Sequence, residues 1–340
     1  MKIDTILHTK RLGDVGELAA RAEQAGHHAV WVTEEGTDPL LHAYAASLAT
    51  EHCRTGTAIT VAFARSPMTV AQTAWQLSGA ADGRFVLGLG SQVKAHVERR
   101  YSMPWGKPVG QMRDYLTALS AIWTSWRTGE RLRHEGEYYT HNLMAPFWNP
   151  EPHEHHIPVW LAAVGPMMVE LAGELCDGVL LHPFSNPAYD DTVIRPALER
   201  GLAKSGRTLA DIEVSRPLFM VMGDDDQAIE QRRREAARQL GFYASTRAYQ
   251  PVLEAVGLAD LQPRLADMAR AQEWEGMAGL LDEEALEHFA VIGRPEQMPE
   301  LTGKHLSGFI TRTSAYSGWP VDDPDRLAGI LTAFDREQSQ

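Results

Sequence analysis

The chain has 340 residues, 44% of them hydrophobic and 23% charged, which is enough apolar material for a sizeable core and too little charge imbalance for a disordered chain. Its formal net charge of −13 argues against a nucleic-acid partner, because that surface needs clustered Lys and Arg to displace counterions, and no basic run of that kind occurs. The opening Met1-Lys2-Ile3-Asp4-Thr5-Ile6-Leu7 lacks a signal-peptide core and nowhere do about 18 apolar residues run uninterrupted, so a cytoplasmic location without a membrane partner is expected.

In chain order, 2–7 reads as a strand, and Leu12, Val15, Leu18, Ala19 and Ala22 then recur at helical spacing until Gly26. A strand at 29–33, a helix at 40–51, a strand at 56–64, a helix at 68–81 and a strand at 85–89 continue the alternation. A helix at 110–126 ends in Arg127-Thr128-Gly129. The stretch up to 156, aromatic and punctuated by Pro146, Pro150 and Pro152, is too long for an ordinary connection and reads as an insertion covering a pocket. The pattern resumes with strands at 159–162, 178–181 and 213–222 separated by helices at 166–175 and 194–204, followed by a charged helix at 227–241. A mostly helical segment at 242–288 stands outside the alternation. The last unit is a strand at 307–313 with a closing helix at 324–336.

Eight strands, each followed by a helix or helical insertion, predict an α/β chain folded as one closed (β/α)8 TIM barrel over 1–340, with insertions at about 129–156 and 242–288. Active residues are then expected just after the strands. An open doubly wound sheet shares the alternation but puts its glycine fingerprint after the first strand, whereas the glycines here follow the fourth and fifth.

Two stretches, Arg84-Phe85-Val86-Leu87-Gly88-Leu89-Gly90-Ser91-Gln92 and Pro158-Val159-Trp160-Leu161-Ala162-Ala163-Val164-Gly165-Pro166, each read as a strand entering a glycine-bearing turn and then a helix. Such turns let backbone approach a ligand, and the free N–H groups at a helix start favour an anion. Two of them in one chain point to an elongated, phosphate-bearing cofactor. The first is not a nicotinamide fingerprint, since Val93 stands where its third glycine belongs. His96 lies four residues after Gln92, which places both on one face of a helix, and Pro166 suits a first helical position.

Cys53 and Cys176 lack a neighbouring thiol or metal-ligand spacing and read as buried, inert thiols. His153, His155 and His156 lie among prolines without a helical i, i+4 pair, so they read as a solvated loop and no metal is expected. Among the tryptophans, Trp148 in the first insertion is the preferred substrate contact.

These residues resemble the luciferase-like flavin or deazaflavin oxidoreductases over most of the chain. The resemblance is carried by Thr57-Ala58-Ile59 through Phe63-Ala64-Arg65-Ser66-Pro67, by Gly83-Arg84-Phe85 through Gly90-Ser91-Gln92 with His96, by Ile157-Pro158-Val159 through Gly165-Pro166, and by Asp177-Gly178 with His182-Pro183. It is greatest to the branch that uses the 8-hydroxy-5-deazaflavin, coenzyme F420.

The resemblance implies a tricyclic ring over the C-terminal strand ends, with a non-proline cis peptide of the third strand against it, at or beside Ala62-Phe63. It implies that the cofactor phosphate rests on Ala163, Val164, Gly165 and Pro166, with Gly90, Ser91, Gln92 and His96 on the other side and His182 nearby. Val93 stands where related proteins carry an acid, so no proton donor transfers to that point. Thr37 replaces a histidine of close relatives, which leaves Glu34, with Asp38 second, as the carboxylate facing the ring; Glu34 and Glu35 equally suit a role as solvated loop charges. His8, just after the first strand, is the other catalytic candidate, because imidazole gives or takes protons readily.

The expected function is hydride transfer between a deazaflavin and a small organic substrate, whose identity the two insertions would set. The alternatives are a monooxygenase using reduced FMN, a non-catalytic binder of a flavin or F420, and a metal-dependent hydrolase, the last lacking a His-x-His on the first strand. A homodimer is the expected assembly.

Overall fold

The computed structural model describes residues 1–321 and 323–337. Its centre is a ring of eight parallel strands: β1 Lys2–Leu7, β2 Ala29–Val32, β3 Arg54–Thr57, β4 Phe85–Gly90, β5 Val159–Ala163, β6 Gly178–Leu181, β7 Glu213–Ser215 and β8 Arg312–Ser314. Each pairs with the next, and β8 returns to β1 with Lys2 opposite Arg312 and Asp4 opposite Ser314, so the sheet is a closed (β/α)8 barrel. All eight predicted strands are in the ring.

Helices follow the strands and press small apolar faces onto them. Leu12–Ala25 buries Val15, Ala19, Ala22 and Ala25 and stops at Gly26, whose φ of 98° is the left-handed turn glycine tolerates best. Pro67–Ala80 starts on Ser66, which accepts from the Met68 N–H, with Pro67 at the first position.

The barrel's interior is filled below its C-terminal rim. Trp31 and Trp160 meet there with ring centroids 4.9 Å apart, and the Trp31 indole N–H donates to Asp4 at 2.9 Å. Arg312 grips the Asp4 carboxylate with two nitrogens at 2.6 and 2.8 Å and lies over the Trp160 ring. Gly178 makes room: a Cβ there would stand 2.6 Å from the Trp160 ring.

Three elements differ from expectation. The strand predicted at 213–222 breaks at Pro217, which has no N–H for the ladder. Its second half, Phe219–Met222, leaves the ring and pairs in parallel with an unforeseen strand, Ala290–Gly293. The strand predicted at 56–64 leaves the main ladder after Thr57, touches β4 again only at Thr60–Val61, and ends in a single tight turn, Ala62–Ala64. Finally, the eighth strand is only the three residues Arg312–Ser314.

The first insertion carries a short hairpin, His134–Glu135 against Thr140–His141, held by Asp114, which accepts from the Tyr138 and Tyr139 N–H groups and pairs with His134 at 2.7 Å. It runs along the outer helices, where His153 stacks on Trp75 at 4.1 Å. The second insertion is helical, with Gln250–Glu254, Leu261–Ala271, Trp274–Ala278 and Glu283–Glu287. Both cysteines are buried and unpaired. Among the described residues no helix is long and apolar enough to cross a membrane.

Candidate active site

A cavity of about 360 Å³ opens at the C-terminal ends of the strands, and every strand contributes to it. Ile6 and His8 come from β1, Thr33, Glu34 and Glu35 from β2, Ala58 and Ile59 from β3, and Gln92 from β4. Ala162, Ala163 and Val164 belong to β5, Leu180, Leu181, His182 and Pro183 to β6, Pro217 to β7 and Tyr316 to β8. Ile6, Ile59, Ala58, Ala162 and Leu180 pack on the Trp31–Trp160 layer, so the floor is apolar and firmly supported while the polar groups stand around the rim.

The cis peptide lies between Ala58 and Ile59, directly on this floor, and not at Ala62-Phe63. The expected position is corrected by four residues, because β3 ends at Thr57 and the rest of the predicted strand has already turned away. Ala62 and Phe63 are buried in that turn and do not line the cavity. Phe63 instead packs edge-on against Trp105 at 5.6 Å, beside a separate cavity of about 270 Å³ that also touches Arg65, Tyr138 and Tyr139.

Glu34 reaches the wall of the main cavity, but its carboxylate is occupied. It accepts from the Val61 N–H at 2.8 Å, from Arg65 at 2.7 and 2.9 Å, and from the Tyr101 hydroxyl at 2.8 Å, with its side chain only 4% exposed. Burial and this carboxylate push the Tyr101 phenol up, while burial lowers the Arg65 guanidinium less than Glu34 and Asp38 raise it. Asp38 accepts from the Leu40 N–H at 2.9 Å, capping its helix, and from Arg65 at 3.1 Å; it lies outside the cavity lining. Both carboxylates therefore anchor the chain that follows β3.

His8 is exposed at the rim, and among the described residues nothing hydrogen-bonds its ring. His182 is enclosed: its Nδ1 accepts from the Phe184 N–H at 3.1 Å, and Tyr243 and Tyr249 face its ring at 4.6 and 4.8 Å. Burial pushes its pKa down to about 4, so this imidazole is neutral at physiological pH.

The first glycine motif works differently from expectation. Gly88 and Gly90 lie inside β4, where a Cβ on Gly88 would stand 1.7 Å from the Thr57 carbonyl oxygen and one on Gly90 would stand 2.9 Å from Ile59. They admit β3 and its cis bond rather than making a turn. The left-handed residue is Gln92, at φ 60°, and the next helix starts only at Lys94. Gln92 and His96 thus share no helical face; Gln92 lines the cavity, whereas His96 is exposed and does not. The Ser91 hydroxyl donates to the Gln92 carbonyl.

The second motif has the expected build. Ala163 and Val164 line the cavity, Gly165 precedes the helix Pro166–Leu175, and no side chain caps that helix. A Cβ on Gly165 would meet nothing within 4 Å, so the helix start is open to an anion.

The first insertion lines none of this cavity; its Tyr138 and Tyr139 instead line the separate cavity beside Phe63, and Trp148, 51% exposed beside Phe147, lines neither. The second insertion does approach the site, through Tyr243 and Tyr249 on His182. The three histidines lie in a partly solvated stretch, as expected, and each has a partner: His153 pairs with the Trp75 carbonyl, His155 approaches the exposed Asp82, and the exposed His156 pairs with Asp177. Among the described residues no three His, Cys, Asp or Glu side chains are grouped to hold a metal. Sequence reasoning missed Tyr316 and Pro217; each lies two residues beyond the end of its strand, and Pro217 was read as the interior of a strand running to 222.

The model of the luciferase-like monooxygenase family matches residues 1–304. Curated relatives include an uncharacterised protein of Mycobacterium tuberculosis, 41% identical over 303 residues and 89% of each chain. Another is the F420-dependent glucose-6-phosphate dehydrogenase of Beutenbergia cavernae, 33% identical over 265 residues, 72% of this chain and 73% of that one. Among solved structures, the coenzyme F420-dependent tetrahydromethanopterin reductase of Methanopyrus kandleri superposes with a TM-score of 0.76 at 19% identity, covering 97% of each chain.

Proposed function

Because the chain belongs to the luciferase-like monooxygenase family, we propose that it is an oxidoreductase that uses the deazaflavin coenzyme F420 on a small, neutral organic substrate. The observation that carries this reading is the pairing of an apolar floor at Ile59 and Ala162 with the uncapped helix start at Gly165, which suits a flat ring bearing an anionic tail. The F420-dependent relative from Beutenbergia cavernae favours the deazaflavin over other flavins.

When bound, the deazaflavin supplies a two-electron hydride carrier whose central carbon replaces the oxygen-reactive nitrogen of a flavin. Ala58 and Ile59 would back the ring, Val164 and Gly165 would offer backbone N–H groups to the phosphate, and Gln92 would border the ring from β4. His182, held neutral, can donate one hydrogen bond from Nε2 while Nδ1 remains occupied by Phe184. Glu34 fixes Val61 and Arg65, and so the backing segment. His8, free at the rim, is the group assigned to give or take the substrate proton.

The same floor suits reduced FMN, and a monooxygenase would follow from it. Parallel titration of the purified protein with F420 and FMN, each read by fluorescence quenching, separates the two. Saturable quenching of F420 at micromolar concentration with FMN at least tenfold weaker supports the proposal, and the reverse order overturns it. Turnover with bound coenzyme then excludes a protein that merely stores it.

A further inference from the structure

Tyr316 stands on the cavity wall two residues after β8, and its hydroxyl is part of a small closed network. The Tyr316 and Tyr243 oxygens are 2.7 Å apart, and the Gln239 amide nitrogen donates to both, at 3.3 and 3.4 Å. One of the two phenols must donate to the other, since a single hydrogen serves each short O···O contact. The recipient then keeps its own hydrogen unused. Tyr316 lines the cavity and Tyr243 does not, so only Tyr316 gains a partner there by being that recipient.

Resting on the function proposed above, we infer that Tyr316 donates this spare hydrogen bond to a neutral carbonyl or hydroxyl oxygen of the substrate, with Tyr243 and Gln239 setting its direction.

Two features support the choice of a neutral acceptor. Among the described residues lining the cavity there is no Lys or Arg, while Glu34 and Glu35 are both present, so a carboxylate or phosphate on the substrate would meet like charge and no described countercharge at this wall. Burial, followed by the nearby Tyr243 and Glu35, also pushes the Tyr316 phenol above its ordinary range, which keeps it protonated and a donor. His8 lies on the same side: a Cβ on Gly318, two residues after Tyr316, would be 3.8 Å from its ring. His8, the group assigned to move the substrate proton, thus lines the same cavity as Tyr316, after the neighbouring strand.

The test compares cyclohexanone with methylenecyclohexane, which has the same shape but no acceptor oxygen, binding to the coenzyme-loaded protein. The readout is perturbation of the coenzyme's absorbance, with calorimetry of the coenzyme-free protein alongside. The wild type should favour the ketone about tenfold, the scale of one neutral hydrogen bond. Tyr316→Phe should abolish that preference and leave coenzyme affinity within about threefold. Tyr243→Phe breaks the same Tyr–Tyr contact but spares the donor, so it should keep most of the preference. A wild type that does not favour the ketone, or a preference lost equally in both variants, overturns the assignment. Coenzyme titration is scored separately, so failure of F420 to bind sinks the proposed cofactor while the calorimetric ketone comparison still judges Tyr316.

Discussion

Arg312 and Asp4, 308 residues apart, close the barrel by a two-pronged ion pair that is almost wholly buried, with side chains 1% and 0% exposed. A buried pair contributes little net stability when compared with apolar residues of the same size, but losing one partner strands the other charge. Arg312→Met should therefore lower unfolding free energy by about 3–5 kcal/mol, measured by urea titration. The double variant Asp4→Leu with Arg312→Met should recover much of that loss.

Glu34 is read as an anchor of the segment after β3. Glu34→Gln should destabilise the fold by about 2–3 kcal/mol, since the Val61 N–H, Arg65 and the Tyr101 hydroxyl compete for a weaker acceptor. Coenzyme affinity should fall with it. A variant with unaltered thermal stability and coenzyme affinity but no turnover would instead make Glu34 the acid.

His8→Asn should show the opposite profile. Since among the described residues nothing hydrogen-bonds the His8 ring, the variant should retain stability and coenzyme affinity within about threefold while turnover drops about 100-fold, in the range of a lost general acid or base. Stopped-flow reduction or oxidation of the bound coenzyme is the measurement.

Gly165→Asp separates helix stability from binding. An aspartate at this position can cap the helix Pro166–Leu175, raising stability by a few tenths of a kcal/mol over glycine, and the open space admits its side chain. Its charge should nevertheless weaken F420 at least about tenfold through repulsion of the phosphate. Unchanged affinity would remove the anion site from this helix.

Glu23 predicts the acid limb of stability. Burial tends to raise its carboxyl, but the N–H groups of Cys53, Glu51 and His52 outweigh it and bring the pKa down to about 2, from an ordinary value of 4.5. The group therefore stabilises the fold fully above about pH 4.5, and that contribution is lost as pH falls towards 2. After discounting for solvent exposure it is worth about 1–2 kcal/mol. Glu23→Gln should flatten the pH dependence of unfolding in that window.

The eight strands were legible because continuous apolar runs alternate with helical spacing, and the open helix start was legible from Gly165-Pro166. Strand ends were not: β3 stops at Thr57, where its neighbour β2 also ends at Val32, and the seventh strand is broken by Pro217, which has no N–H for the ladder. Running the third strand on to 64 displaced the expected cis bond from Ala58-Ile59 to Ala62-Phe63. Asp4, Trp31 and Arg312 gave no local signal because their meaning is their meeting across three strands. The glycines of Gly88-Leu89-Gly90 were seen, but their purpose lies in a neighbouring strand's oxygen and side chain, which spacing does not reveal.

The two native thiols are sealed in, with burial and the adjoining Glu23 pushing Cys53 up to about 12 and burial raising Cys176 further. A single cysteine installed at exposed Ser317, next to Tyr316, would consequently take a maleimide dye without any prior removal of natural sulfhydryls. The barrel thus comes ready for optical tracking of events at its own doorway.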